Sequence, residues 1–283
     1  GPFLDGHETW VVLGGGGLFA AFPVAYGIMM SGLYLPVIFM LFGLIMRGVA
    51  FEFRFKATAH RYVWDGFFFI GSVVATFAQG IMLGALVQGL EASNRLYTGG
   101  PFDWFSPFSI MCGFALLIGY ALLGSTWLII KTEHTLQVWA RKVSGWLLTA
   151  LIVAMIAVTI FMYFSDIEAL EGWFSLPGLL YLAPMPIIVL LLFFFMRKDL
   201  TTEREYRPFL LTVALFLMGY IGVCIAIFPY IVPYQMTIYE AAAADTSLSF
   251  MLIGAGIMLP IILSYTAFAY YTFKGKTDHE HMY

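Results

Sequence analysis

The stretch that decides the reading of this chain is Asp5-Gly6-His7-Glu8-Thr9-Trp10-Val11-Val12-Leu13-Gly14-Gly15-Gly16-Gly17-Leu18-Phe19-Ala20-Ala21-Phe22-Pro23. An acidic head runs into an apolar segment thinned by four consecutive glycines. A second apolar segment follows and closes on Met46-Arg47-Gly48-Val49-Ala50-Phe51-Glu52-Phe53-Arg54. Two hydrophobic segments therefore lie back to back, with ionisable residues only at their outer ends. Segments of the same kind recur along the whole chain.

Of the 283 residues, 61% are hydrophobic and only 11% are charged. A water-soluble domain carries about 25% charged residues, so this is an integral membrane protein. A hydrocarbon core needs roughly 20 apolar residues per helix. Eight stretches meet that requirement: 9–30, 33–51, 63–90, 106–130, 146–165, 174–196, 208–233 and 247–273. The apolar runs are continuous rather than alternating, which argues against strands. The expected fold is all-α and polytopic, a single helical membrane domain over 1–283. The first span is the least regular, because its glycines weaken a helix and Pro23 interrupts it. The chain opens Gly1-Pro2-Phe3-Leu4, without a methionine, and is read as lacking an N-terminal helix.

If the spans alternate, every one of the 14 basic residues except Arg95 falls on one side of the membrane. The positive-inside rule makes that side cytoplasmic. The seven tryptophans lie near expected span ends, as in an aromatic belt. Glycines repeat at short spacing, as in Gly80 with Gly84 and Gly119 with Gly124, and predict close helix packing. Cys112 and Cys224 fall inside spans, where a thiol behaves as a small apolar group. There is no basic surface suited to nucleic acid.

Haem iron takes His, Cys, Met or Tyr on its axis. His7, His60, His134, His279 and His281 all sit in loops or termini, so the chain is read as binding no haem and no metal. A single-chain ion pump would carry ionisable groups mid-membrane. Here the deepest polar residues are neutral: Gln79, Gln88, Ser125, Thr126, Thr159, Tyr220 and Ser264. That leaves a carrier or channel for a small neutral solute as one reading. Gly14 to Gly17 lacks the Lys-Ser/Thr of a phosphate-binding loop. Four residues without side chains instead permit close approach by another helix, or border a narrow apolar passage. In a hairpin of the first two spans, Asp5 and Arg47 would share a membrane edge. That pair reads either as an interfacial ion pair or as part of a proton relay, with Glu8 and Glu52 near enough to share the role.

The run Leu4 to Pro23 resembles subunit II of the cytochrome bd-type quinol oxidases, and the form with Gly14 to Gly17 and Phe51-Glu52-Phe53-Arg54 resembles their cyanide-insensitive subgroup. The Trp64-Asp65 pair, Tyr239-Glu240-Ala241-Ala242-Ala243 and Pro260 to Thr266 fit the same pattern. The resemblance implies two four-helix bundles plus a peripheral helix, with the first helix absent here. It implies a haem-free partner of a subunit I that carries haem b and haem d and oxidises quinol with oxygen. A structurally bound quinone and a small single-helix subunit occur in some such complexes. Membrane lipid surrounds them in the bacterial cytoplasmic membrane. On that reading Asp5, Arg47, Glu52, His7 and Glu8 are proton-path or interface candidates. Trp10 and Gly14 to Gly17 border an oxygen passage or the subunit interface. The family pattern often has an amide where His7 and Glu8 stand.

Overall fold

The computed structural model describes residues 2–58, 60–164, 184–202 and 204–272, with side chains from Thr9 onward. In chain order the helices are α1 (Pro2–Ala21), α2 (Pro23–Gly32), α3 (Tyr34–Lys56), α4 (Arg61–Gln88), α5 (Pro107–Lys131), α6 (His134–Phe164), α7 (Pro184–Leu200), α8 (Tyr206–Ile227), α9 (Ile238–Ala241) and α10 (Asp245–Thr272). Two hairpins join them, β1 (Ala92–Ser93) with β2 (Leu96–Tyr97), and β3 (Tyr230–Val232) with β4 (Met236–Thr237). The strands lie in connecting segments, so the membrane part is all-helical, as expected.

Among the described residues six helices are long and apolar enough to cross a membrane: α3, α4, α5, α6, α8 and α10. Eight were expected, and the difference has two places. The span 9–30 is broken: α1 ends at Ala21, Phe22 turns to φ −137°, and Pro23 opens α2. Proline has no N–H for the carbonyl four residues back, and its ring crowds that carbonyl. The apolar run Thr9–Ala21 and the 10 residues of α2 are each short of a full crossing. Hydrogen bonds from Phe22 N–H to Leu18 O and from Tyr26 N–H to Phe22 O, both 2.9 Å, hold the chain on either side of the break. The span 174–196 begins outside the described residues, which resume with α7. A third departure is the start of α6 at His134 rather than Trp146, because a helix runs on into water past Arg141 and Lys142.

The described residues fall into two compact units, one within 2–34, 89–101 and 229–272, the other within 35–88 and 102–228. In the first, α1 packs on α2 and α10. The Ala243 N–H donates at 2.8 Å to the Ala21 carbonyl, satisfying one of the orphan acceptors at a helix end. Helix α2 buries Ala25, Ile28, Met29 and Gly32 against the hairpins. A Cβ on Gly32 would stand 3.0 Å from the Tyr97 ring. The β1–β2 turn has Asn94 at φ 51° and Arg95 at φ 64°, the paired positive values of a tight hairpin turn. Helix α9 opens on a capping box. The Thr237 hydroxyl accepts from the Glu240 N–H, and the Glu240 carboxylate accepts from the Thr237 N–H at 2.9 Å and its hydroxyl at 2.8 Å. The Thr237 N–H, then the hydroxyl, and more weakly the charge of Arg95, hold the Glu240 carboxyl below its ordinary pKa.

In the second unit α5 to α8 pack around Leu122, Ile129, Ala140, Leu148, Leu151, Met196, Leu200 and Leu215, while α4 lies between α3 and α5. Glycines set the approach distances. A Cβ on Gly43 would lie 2.6 Å from the Gly71 carbonyl, and one on Gly71 would lie 2.6 Å from the Gly43 carbonyl. On the other side of α4, a Cβ on Gly80 would lie 2.6 Å from the Gly113 Cα, and one on Gly84 would lie 2.6 Å from the Ser109 Cα. The expectation for Gly80 and Gly84 therefore holds. A Cβ on Gly119 would lie 2.9 Å from the Phe216 ring, but one on Gly124 would meet nothing within 4 Å, so Gly124 is no packing site among the described residues. Trp104 also departs from the aromatic belt. It is 7% exposed and enclosed by Phe39, Phe102 and Phe105. Its carbonyl takes the Ser109 hydroxyl at 2.7 Å. Trp173 lies outside the described residues.

Two outcomes are expected. Gly80→Leu should lower the thermal midpoint of the purified complex sharply, because α5 main chain occupies the space a side chain needs. Gly124→Ala should raise stability by about 1 kcal/mol through helix propensity, read in the same melting assay. Separately, a carboxyl held low in the folded state adds stability above its unfolded pKa of about 4.3, and that stability is lost as pH falls through the folded pKa. Thr237→Ala removes the hydroxyl and should move the Glu240 titration upward, measured by infrared carboxylate absorption with Glu240→Gln as the subtraction reference.

Candidate functional site

The ionisable residues of α3 and α4 are set by the Gly43–Gly71 crossing. Arg47 stands one turn beyond it, where its own N would be 2.9 Å from a Cβ on Gly71. Its guanidinium Nε is withdrawn from solvent. Two turns further along the same helix face, Arg54 pairs with Asp65, Nε donating to Oδ1. Beside that pair, Phe53 stacks on Trp64 with ring centroids 5.1 Å apart and planes at 25°. The Phe53-Arg54 and Trp64-Asp65 motifs, separate in sequence, thus form one rim. Glu52 is exposed and makes no hydrogen bond or ion pair among the described residues.

Arg47 and Glu52 belong to the second unit and α1 to the first. The side chains of Asp5, His7 and Glu8 lie outside the described residues. Trp10 is 40% exposed. A Cβ on any of Gly14, Gly15, Gly16 or Gly17 would meet nothing within 4 Å. The close helix approach expected there is not made by the described residues, and this turn of α1 is bare.

A third polar assembly went unread in the sequence. Asp199, at the end of α7, is buried, with a side chain 4% exposed. Its carboxylate lies 3.2 Å from Arg207 Nε and 3.6 Å from an Arg204 Nη. The loop that carries Arg204 and leads into α8 is gripped by Arg141 of α6. Its two Nη groups donate to the carbonyls of Thr202 at 2.7 Å and Arg204 at 3.0 Å. Gln137 adds a bond to Glu205 at 2.9 Å. The signal was the dense charge of Arg197-Lys198-Asp199…Arg204-Glu205…Arg207, which reads as an ordinary solvated loop.

His60 and His134 stand at helix starts, with φ 60° and 52°, and both are exposed. His7, His279 and His281 lie outside the described side chains. The neutral polar residues inside the spans find partners close by. Tyr120 donates to Gln79 at 3.2 Å, Ser106 to Gln88, and Ser144 to Ser125 at 2.8 Å. Thr126, Thr159 and Ser264 donate to carbonyls of their own helices. These bonds serve packing.

The family described as cytochrome bd terminal oxidase subunit II matches residues 1–273. Cytochrome bd ubiquinol oxidase subunit 2 of Bacillus subtilis (strain 168) is 28% identical over 291 residues, covering 99% of this chain and 84% of that protein. Cytochrome bd-I ubiquinol oxidase subunit 2 of Escherichia coli (strain K12) is 27% identical over 323 residues, covering 99% of this chain and 83% of the other. A chain in the structure of bd oxidase from Geobacillus thermodenitrificans superposes with a TM-score of 0.67, at 16% identity, over 85% of this chain and 74% of that one. At that identity the likeness speaks for the fold alone.

Removing one member of a buried charge group strands the other, at a cost of about 3–5 kcal/mol. Arg207→Ala should therefore destabilise the protein strongly in a thermal melt. Arg204→Ala should cost less, its contact being longer. Asp199→Asn combined with Arg207→Met should recover part of the loss, because no uncompensated charge is left.

Proposed function

The chain belongs to the cytochrome bd terminal oxidase subunit II family, and from that premise we infer that it is the non-haem subunit of a membrane quinol:oxygen oxidoreductase. Its partner is subunit I, which bears haem b and haem d, oxidises quinol and reduces oxygen to water. The protein spans the bacterial inner membrane several times, and its basic loops face the cytoplasm, from which the protons are drawn. A structurally held quinone and a small single-helix subunit complete the reading.

Within this frame α1 supplies the contact with subunit I. The observation that carries this is the bare glycine turn: four residues in succession, spread around the helix, each with open space where a Cβ would stand, one turn from the exposed Trp10. Helices in a bilayer associate by close approach at small residues, and this strip has no partner among the described residues. Trp10 and Gly14 to Gly17 then border the subunit interface or an apolar oxygen route. Asp5, with His7 and Glu8, marks the cytoplasmic mouth of a proton path, and Arg47 and Glu52 are further proton-path or interface candidates. A solute carrier is disfavoured by the relatives.

An absorption spectrum tests the division of labour: haem bands in the complex and none in the isolated chain. Gly16→Leu should reduce the haem-bearing subunit recovered with a tagged chain, scored by haem absorbance per mole of tag. Asp5→Asn should slow quinol oxidation and proton uptake together in the assembled complex. Unchanged rates would remove Asp5 from the path.

A further inference from the structure

An open cleft of about 550 Å³ lies between α6 and α7, lined by Arg141, Lys142, Trp146, Arg197 and Thr201 among others. We propose that it holds the phosphate headgroup of an anionic phospholipid.

Charge is the first argument. Three cations converge on the cleft, and among the described residues none of them is in an ion pair. Two described acids nearby are engaged elsewhere: Asp199 faces Arg204 and Arg207, and Glu205 takes the Gln137 amide. The cations are also held in place. Arg141 is fixed by its two bonds to loop carbonyls, and an Arg197 Nη donates to the Gly145 carbonyl at 3.3 Å. A guanidinium has five N–H donors in a rigid fork, so each arginine keeps donors to offer a phosphate. Lys142 adds an exposed ammonium as a point charge.

Depth is the second. A hydrocarbon core takes about 20 helical residues, and counting back from Phe164 at the end of α6 reaches Gly145. Arg141 and Lys142 therefore stand just outside the apolar slab, at headgroup level, with Trp146 on its boundary, where indole rings prefer to lie.

The third argument separates a lipid from a free anion. Below the cleft, Trp146, Val153, Ile156 and Ile160 follow one another at spacings of seven, three and four residues along one face of α6. They are 72%, 61%, 53% and 52% exposed. A headgroup in the cleft would lay its acyl chain along that stripe. Inorganic phosphate would have no use for it.

The test uses the purified oxidase complex in detergent, with thermal midpoint as readout. Cardiolipin or phosphatidylglycerol added in mixed micelles should raise the midpoint, whereas phosphatidylcholine and inorganic phosphate should not. Each basic residue near an anionic headgroup contributes roughly five- to sixfold in affinity, so Lys142→Gln with Arg197→Gln should weaken the lipid response about thirtyfold. Lys142→Gln alone, at an exposed position, covers the case in which the double variant fails to assemble, and should weaken it about fivefold. Lys56→Gln, on α3, should leave it intact. Haem absorbance of each sample reports separately whether subunit I is present. The proposal falls if the wild-type complex ignores anionic lipid, if the cleft variants respond as wild type does, or if inorganic phosphate raises the midpoint equally.

Discussion

The second unit depends on main chain touching main chain at glycine. Inside a bilayer there is no hydrophobic gain in bringing two apolar helices together, since lipid is as apolar as leucine. What remains is dispersion, which falls off within a fraction of an ångström. Helix α4 meets this constraint on both flanks, with Gly71 against Gly43 of α3, and Gly80 and Gly84 against Gly113 and Ser109 of α5. These contacts fix which turn of α3 faces which turn of α4. They thereby bring Phe53 over Trp64 and Arg54 to Asp65. At the other end of α4 they bring Gln88 to the Ser106 that caps α5. The polar rims are consequences of apolar geometry.

Charge is handled in two ways within that frame. Arg54 and Asp65 meet with about half of each side chain exposed, where water screens the pair and it is worth no more than about 1 kcal/mol. Asp199 is almost wholly enclosed, so removing either of its arginines would leave a buried group poorly compensated. The same residue types therefore orient a rim in one place and lock a loop in the other. The lock matters beyond itself, because Arg141 and the loop it grips form one wall of the basic cleft.

Most of the helical architecture was legible in the sequence, because continuous apolar runs in a chain so poor in charge admit few other folds. What misled was local. Pro23 stood visibly inside the first span, yet whether a proline kinks or ends a helix depends on what receives the freed carbonyls, here in part the Ala243 N–H. The early start of α6 was hidden because hydropathy marks where a helix enters lipid, not where it begins. Glycine was ambiguous in kind: Gly80 and Gly124 look alike in sequence, and only the presence of Gly113 opposite one of them separates a contact from a bare surface. Asp199 was passed over since burial there results from a loop folding back, which no periodicity records. Of the candidate site, Arg47 and the glycine strip could be located, whereas the pairing of Arg54 with Asp65 needed the crossing geometry.

Helix α10 carries a different implication. It runs from Asp245 to Thr272 with no buried residue, so side-chain interlocking contributes little to its place. Among the described residues little protein encloses it, and wherever lipid takes that place the constraint on its side chains is loose. Such a helix is constrained in length and in average oiliness but hardly in spelling. Over evolutionary time its letters should drift among Leu, Ile, Phe and Met far more freely than those of α4, while insertions and deletions within it stay rare. The chain thus joins a segment free to vary in sequence to a scaffold in which a single added methyl group is felt.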